Sequence, residues 1–159
     1  MKQAACPLCA LEPDQLLWSG AGLHVLNVAD SPFPGYTRVI WHEHSAEMTD
    51  LSPTQRQHLM DAVYIVEEAL RTHLQPIKVN LAQFGNQVPH LHWHLIPRWR
   101  DDPFFPDSAW SPAPTRTPEQ NLAWSGQHKT LLARLPAYHQ HLQSVLQARL
   151  VDSHPSANS

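Results

Sequence analysis

The stretch Gly85-Asn86-Gln87-Val88-Pro89-His90-Leu91-His92-Trp93-His94-Leu95-Ile96-Pro97-Arg98 constrains this chain more than any other. Strict alternation of side-chain type is the mark of a β-strand with one face buried. Residues two apart on a strand point the same way, so His90, His92 and His94 are expected on one face. Leu91, Trp93 and Leu95 would hold the other face in a core. Packing alone explains a row of three imidazoles poorly. The rings repel one another when protonated, and each needs a hydrogen-bond partner if buried. The chain has 12 histidines, so solitary ones are expected, but three in register are not. The plainer alternative is a solvated strand face.

Two chemistries suit such a row. A neutral imidazole can attack an electrophilic phosphorus, dividing one difficult displacement into two easier ones. A neighbouring imidazole can pass a proton to the leaving group and later help activate water. The middle position, His92, suits the attacker because it has a histidine on each side. Alternatively, the row could ligate a catalytic zinc with an open water position, recruiting a further ligand such as His24, His42 or His44.

The rest of the chain supplies a setting. With 159 residues and 42% hydrophobic content, one domain with a real core is expected. Strands are expected over 15–19, 23–28, 36–41 and 77–82, with the histidine strand as the fifth. Short turns between the first three favour antiparallel pairing. Ser52, Pro53 and Gln55 form a helix start with a capping box, and Pro76 a stop. Between them Leu59, Val63, Val66, Leu70 and Leu74 repeat at helical spacing. The fold class is therefore α+β, an antiparallel sheet of about five strands with one main helix packed on it. The principal domain is expected over 1–107. A Pro-rich segment and C-terminal helical extension packed on it would fill 108–152, with one helix opening at Thr117-Pro118 and another near Pro136. Residues 153–159 are small and polar, and are expected to be disordered.

The net charge is −3, without a block of either sign, so a broad nucleic-acid footprint is not expected. No apolar run approaches the ~18 residues of a membrane span, and no signal peptide precedes Cys6, so a cytoplasmic protein is expected. Cys6-Pro7-Leu8-Cys9 has the spacing of half a tetrahedral metal site, and equally of a redox pair. The turn at 83–87, with Asn86 and Gln87, could approach an anionic ligand through amides, or be an ordinary turn. Arg98 and Arg100 could meet phosphate, although such arginines more often pair with acids such as Asp101 or Asp102.

The segment 87–98 resembles the signature of the histidine-triad (HIT) superfamily, HxHxH followed by two hydrophobic residues. The resemblance runs from Cys6 to about Arg100: the CxxC, the strand meander, Val39-Ile40 leading to His44, the Leu51-Ser52-Pro53 helix start and the histidine strand come in the family's order. It implies a nucleotide hydrolase or transferase acting at the α-phosphorus, with His92 as nucleophile and His94 supporting proton transfer. Transferases of the family commonly carry Gln at the third position, so His94 implies hydrolysis. Diadenosine polyphosphates or adenosine phosphoramidates are the implied substrates, and a homodimer the implied assembly. Zinc-bearing relatives imply a structural Zn2+ on Cys6, Cys9, His44 and His90, with His44 preferred to His42. Phosphate and ribose contacts would fall near Asn80 and at Asn27 or Asp30, each with a gap or a substitution. Asn86-Gln87 stands where many relatives have Gly-Gln, and Trp41-His42 where they have Pro-Lys. The alternative is a zinc-stabilised nucleotide-binding module with little or no turnover.

Overall fold

The computed structural model describes residue 3 and residues 5–152. The expected tail over 153–159 lies outside the described residues. β1 (Trp18–Gly20) and β2 (Leu23–Asn27) are joined by Ala21-Gly22. Both turn residues have positive φ, 49° and 77°, the left-handed pair that a two-residue hairpin requires to match strand twist. β3 (Thr37–Trp41) pairs antiparallel with β2. α1 (Pro53–Leu74) crosses to β4 (Lys78–Gln83), which turns back into β5 (His92–Arg98). β5 inserts between β3 and β4, giving the order β1-β2-β3-β5-β4 with every pair antiparallel. This is the α+β architecture expected from the sequence.

α1 begins as its capping residues dictate. The Ser52 hydroxyl accepts from Gln55 N–H at 3.3 Å, and the Gln55 side chain accepts from Ser52 N–H at 2.8 Å. Its buried face, including Leu59, Val63, Val66, Leu70 and Leu74, packs on Val25, Val39, Val79 and Leu95 of the sheet. Burial of a side chain of this size contributes about 1.5–3 kcal/mol.

The C-terminal segment differs from the two expected helices. α2 runs unbroken from Pro118 to Leu146, with Pro136 inside it. Pro136 has no N–H for the carbonyl of Leu132, but both residues face solvent, where water can take that carbonyl. Tyr138, Leu142 and Leu146 share one buried side and join the main core, which holds the helix across the proline. A π-helical turn over Gln147–Asp152 follows. The first strand also starts later than expected, because Pro13–Gln15 forms a 3-10 turn closed by a capping box from Glu12.

The histidine row is split. β5 starts at His92, and His90 precedes it. Leu91 N–H donates to Ser45 C=O at 2.7 Å and Leu91 C=O accepts from Trp41 N–H at 3.0 Å, so the chain enters the sheet through a crossing with the β3–α1 loop. Leu91 and Leu95 are fully buried as expected, and Trp93 is half-buried.

Candidate functional site

Pairing of β3 with β5 sets Arg38 opposite His94 and Ile40 opposite His92. These side chains occupy the sheet face away from α1. A cleft of about 610 Å³ opens over them. Its floor carries His92, His94 and Arg38. Its walls come from Pro7 and Leu8, from the β4–β5 turn with Phe84, Asn86 and Gln87, and from Ser108 and Trp110. The turn depends on Gly85, whose φ of 111° is closed to other residues without strain.

The His92 ring sits 4.7 Å from that of His94, edge to face. Nδ1–H of His92 donates to its neighbour's carbonyl, His90 C=O, at 2.5 Å. A neutral imidazole has one N–H, so this bond leaves the lone pair on Nε2. Burial pushes the His92 pKa below the ordinary histidine value and the Arg38 charge lowers it further, against the opposing effect of the His90 carbonyl. His94 falls further, to about 3, through burial, then His92, then Arg38. Its Nδ1 is hydrogen-bonded to the buried phenol of Tyr36. Both rings are neutral near pH 7 in the free cleft.

His90 faces away from this pair. Its Nε2–H donates to Trp41 C=O at 2.6 Å, which aims the Nδ1 lone pair at the thiols of Cys6 (3.3 Å) and Cys9 (3.5 Å). His44 Nδ1 lies 3.5 Å from Cys9 Sγ. The donor atoms of Cys6, Cys9, His44 and His90 all lie within 4.8 Å of one another. A tetrahedron with Zn–S bonds of ~2.3 Å and Zn–N bonds of ~2.0–2.1 Å has S–N edges of about 3.5 Å. The donor set therefore fits zinc in both chemistry and spacing. His42 is outside the cluster and meets His24 edge to face, ring centroids 4.7 Å apart.

The HIT domain family model matches residues 13–101, more than half of the chain. The chain belongs to the HIT domain family. A histidine triad protein of Marinobacter aquaeolei VT8 is similar in structure, with 28% identity and a TM-score of 0.57, covering 76% of this chain and 89% of that one. A hypothetical histidine triad nucleotide-binding protein of Sulfolobus tokodaii strain7 shares the fold at 16% identity and a TM-score of 0.58, covering 92% of this chain and 97% of that one. The AP-4-A phosphorylase of two Mycobacterium tuberculosis strains is 30% identical over 78 residues. This HIT chain spans about two fifths of the length of those curated relatives, the matched part being 45% of its own.

The structure brings Asn86 and Gln87 to the cleft beside His92 and His94. Asn80 lies outside that lining; its Oδ1 accepts from Arg98 Nη1 at 2.9 Å. Asn27 and Asp30 also lie outside it. Alternation puts Asn27 on the face of Leu23 and Val25, opposite to His92, and Asp30 is exposed in the loop beyond β2. Among the cleft residues that escaped the sequence reading are Arg38, Phe84, Ser108 and Trp110. Arg38 left a trace, a charge inside an apolar strand. Trp110 left none, since its place depends on how the loop after β5 folds back. Arg98 is buried on Asp102, away from the cleft lining, and Arg100 is exposed.

Proposed function

We propose that this protein is a nucleotide hydrolase acting at the α-phosphorus of a nucleoside phosphoanhydride or phosphoramidate, with His92 as nucleophile. The observation that carries this reading is the bond from His92 Nδ1–H to the His90 carbonyl, which leaves an Nε2 lone pair available for attack at a cleft that also holds a cation, Arg38. Attack forms an Nε2–phosphorus bond as the bond from phosphorus to the leaving group breaks, and the leaving group takes that electron pair. A water oxygen then bonds to phosphorus, the Nε2 lone pair is restored, and the water's proton passes to solvent. Arg38 offsets charge on the phosphoryl oxygens, worth more here than in open water. Asn86 and Gln87 on the β4–β5 turn offer amide donors to the same group. Phe84 and Trp110, each about half exposed, give apolar surface for a nucleobase.

Zinc on Cys6, Cys9, His44 and His90 belongs to the same reading. Four protein ligands would close the coordination sphere, so the ion would supply no activated water. Held there by Cys6, Cys9, His44 and His90, it would tie the N-terminal segment to the β3–α1 loop and to the entrance of β5, and so steady the backbone carbonyl that orients His92.

A second reading has inorganic phosphate, not water, resolve the intermediate. The similarity to an AP-4-A phosphorylase favours it, and a third histidine at position 94 favours water. One experiment separates them. Wild type and His92→Ala are mixed with diadenosine tetraphosphate or adenosine 5′-phosphoramidate, and intact mass is recorded after a non-acidic quench. An acid-labile AMP adduct in wild type alone supports the reading. Turnover with added phosphate yields ADP if phosphate is the acceptor and AMP if water is. Nucleotide binding without turnover in either protein returns the chain to the binding-module alternative.

A further inference from the structure

The hydrogen bonds of His90 and His92 each determine where the ring proton sits. The third ring is determined by a side chain, not by the backbone. We propose that Tyr36 is a positioning residue for His94: its phenol donates to Nδ1, which confines the ring proton to Nε2 and presents an N–H donor to a phosphoryl oxygen in the cleft. This rests on the reading of the cleft as a phosphate site.

The placement follows from β3. Tyr36 immediately precedes the strand, and alternation puts it on the face of Arg38 and Ile40, the face that carries His94. Tyr36 and His94 are both buried, at 7% and 6% exposure, and their rings lie 5.9 Å apart. The direction of the bond follows from satisfaction of both groups. A phenol has one proton, and a neutral imidazole one donor and one acceptor nitrogen. If His94 Nδ1–H donated to the phenol oxygen, the phenol proton would need another acceptor inside the protein. Donation by the phenol satisfies that proton and the Nδ1 lone pair together. Burial holds the Tyr36 pKa above its ordinary value, with the Arg38 charge acting against it, so the phenol keeps the proton it donates. Arg38 lies over the Tyr36 ring, 5.7 Å from its centroid.

The consequence is a division of labour between two neighbouring imidazoles. His92 turns a lone pair to the cleft and His94 turns an N–H to it. The pair therefore presents one nucleophile and one donor without either ring being charged. A phosphoryl group bound between them would meet attack from one ring and hydrogen bonding from the other. No proton needs to leave His94 for this contribution.

The test reads the tautomer directly. Uniformly 15N-labelled, zinc-loaded protein is studied near pH 7 by long-range proton–nitrogen correlation of the histidine rings, with His94→Asn used for assignment. The expected wild-type pattern is a protonated Nε2 and an unprotonated Nδ1 shifted by an accepted hydrogen bond. In Tyr36→Phe, the Nδ1 signal should move to that of a lone pair without a donor. Turnover of diadenosine tetraphosphate should then lose about tenfold in kcat, with KM within about twofold, as expected for loss of one oriented hydrogen bond. A protonated Nδ1 in wild type overturns the proposal, even if the variant does not fold. An unchanged Nδ1 signal together with unchanged kcat in Tyr36→Phe overturns it as well. Failure of the functional reading looks different: His92→Ala would then retain turnover while the His94 tautomer stays as described.

Discussion

Arg98 and Asp102 meet as a two-pronged ion pair sealed from solvent. Arg98 Nε donates to Oδ2 at 2.8 Å and Nη2 to Oδ1 at 3.0 Å, with 2% and 1% of the residues exposed. Asp102 also accepts from the backbone N–H groups of Trp99 and Phe104 at 3.0 Å each. Arg98 reaches on to Asp107 C=O at 2.9 Å, so the pair folds the loop after β5 back toward the cleft that Ser108 and Trp110 line.

Removing one partner strands the other charge in the interior. Asp102→Ala should cost about 3–5 kcal/mol of stability. Urea denaturation of Asp102→Ala, Arg98→Ala and the double variant measures this. The double variant should lose less than the sum of the single changes, because the orphaned charge is gone. Strict additivity would show that the two residues contribute independently.

The attachment of α2 has its own test. Thr37 Oγ1–H donates to Gly35 C=O at 2.9 Å, so the Tyr138 hydroxyl, 2.7 Å away, is the donor to Thr37. Tyr138→Phe removes one buried hydrogen bond and leaves Thr37 satisfied through Gly35, an expected loss of about 0.5–1.5 kcal/mol. Tyr138→Ala also opens a cavity and should lose about 3–5 kcal/mol. Equal denaturation midpoints for wild type and Tyr138→Ala would mean that α2 is not part of the cooperative unit.

Local chemistry carried most of the architecture. The cap at Ser52, the stop at Pro76 and the 3.6-residue stripe between them marked α1 to within a residue or two, because these signals act over single turns. Pro136 misled, since a proline on a solvent face forfeits one hydrogen bond while Tyr138, Leu142 and Leu146 hold the helix through tertiary packing. His90 misled in a similar way. Period-2 alternation assumes that a strand continues, and the crossing of Leu91 with Ser45 ends it one residue before His92. Arg38 and Tyr36 depended on cross-strand register, which no local pattern encodes. Trp110 depended on a buried ion pair 8 to 12 residues earlier in the chain, at Arg98 and Asp102.

The metal cluster predicts composition and ligand choice. Protein purified without chelator should carry one zinc per chain by elemental analysis. Cys9→Ser should lose the metal and lower the melting temperature, because zinc binding free energy is coupled to folding. His44→Ala should do the same, and His42→Ala should retain full zinc, since His42 contacts His24 and not the thiols. Zinc retained in His44→Ala but lost in His42→Ala would reverse the ligand assignment.

Acid stability reports on His94. Its pKa is about 3 in the folded chain, held down first by burial, then by His92 and Arg38, against an ordinary value of 6.5. A base whose folded pKa lies below its unfolded value binds more protons when unfolded, in the window between the two. Its contribution is therefore complete above pH 6.5 and is lost as pH falls toward 3. The slope across that window is about 1.4 kcal/mol per pH unit for this one group, or about 2 kcal/mol between pH 7 and pH 5. His73, His90, His92 and His139 are also held below the ordinary histidine value by burial, so the informative quantity is the difference from His94→Asn, which retains them. Denaturation free energies at pH 7, 6 and 5 should show wild type losing about 2 kcal/mol more than the variant. Parallel curves would mean that His94 takes up its proton without penalty in the folded cleft, which a buried ring between His92 and Arg38 would not do.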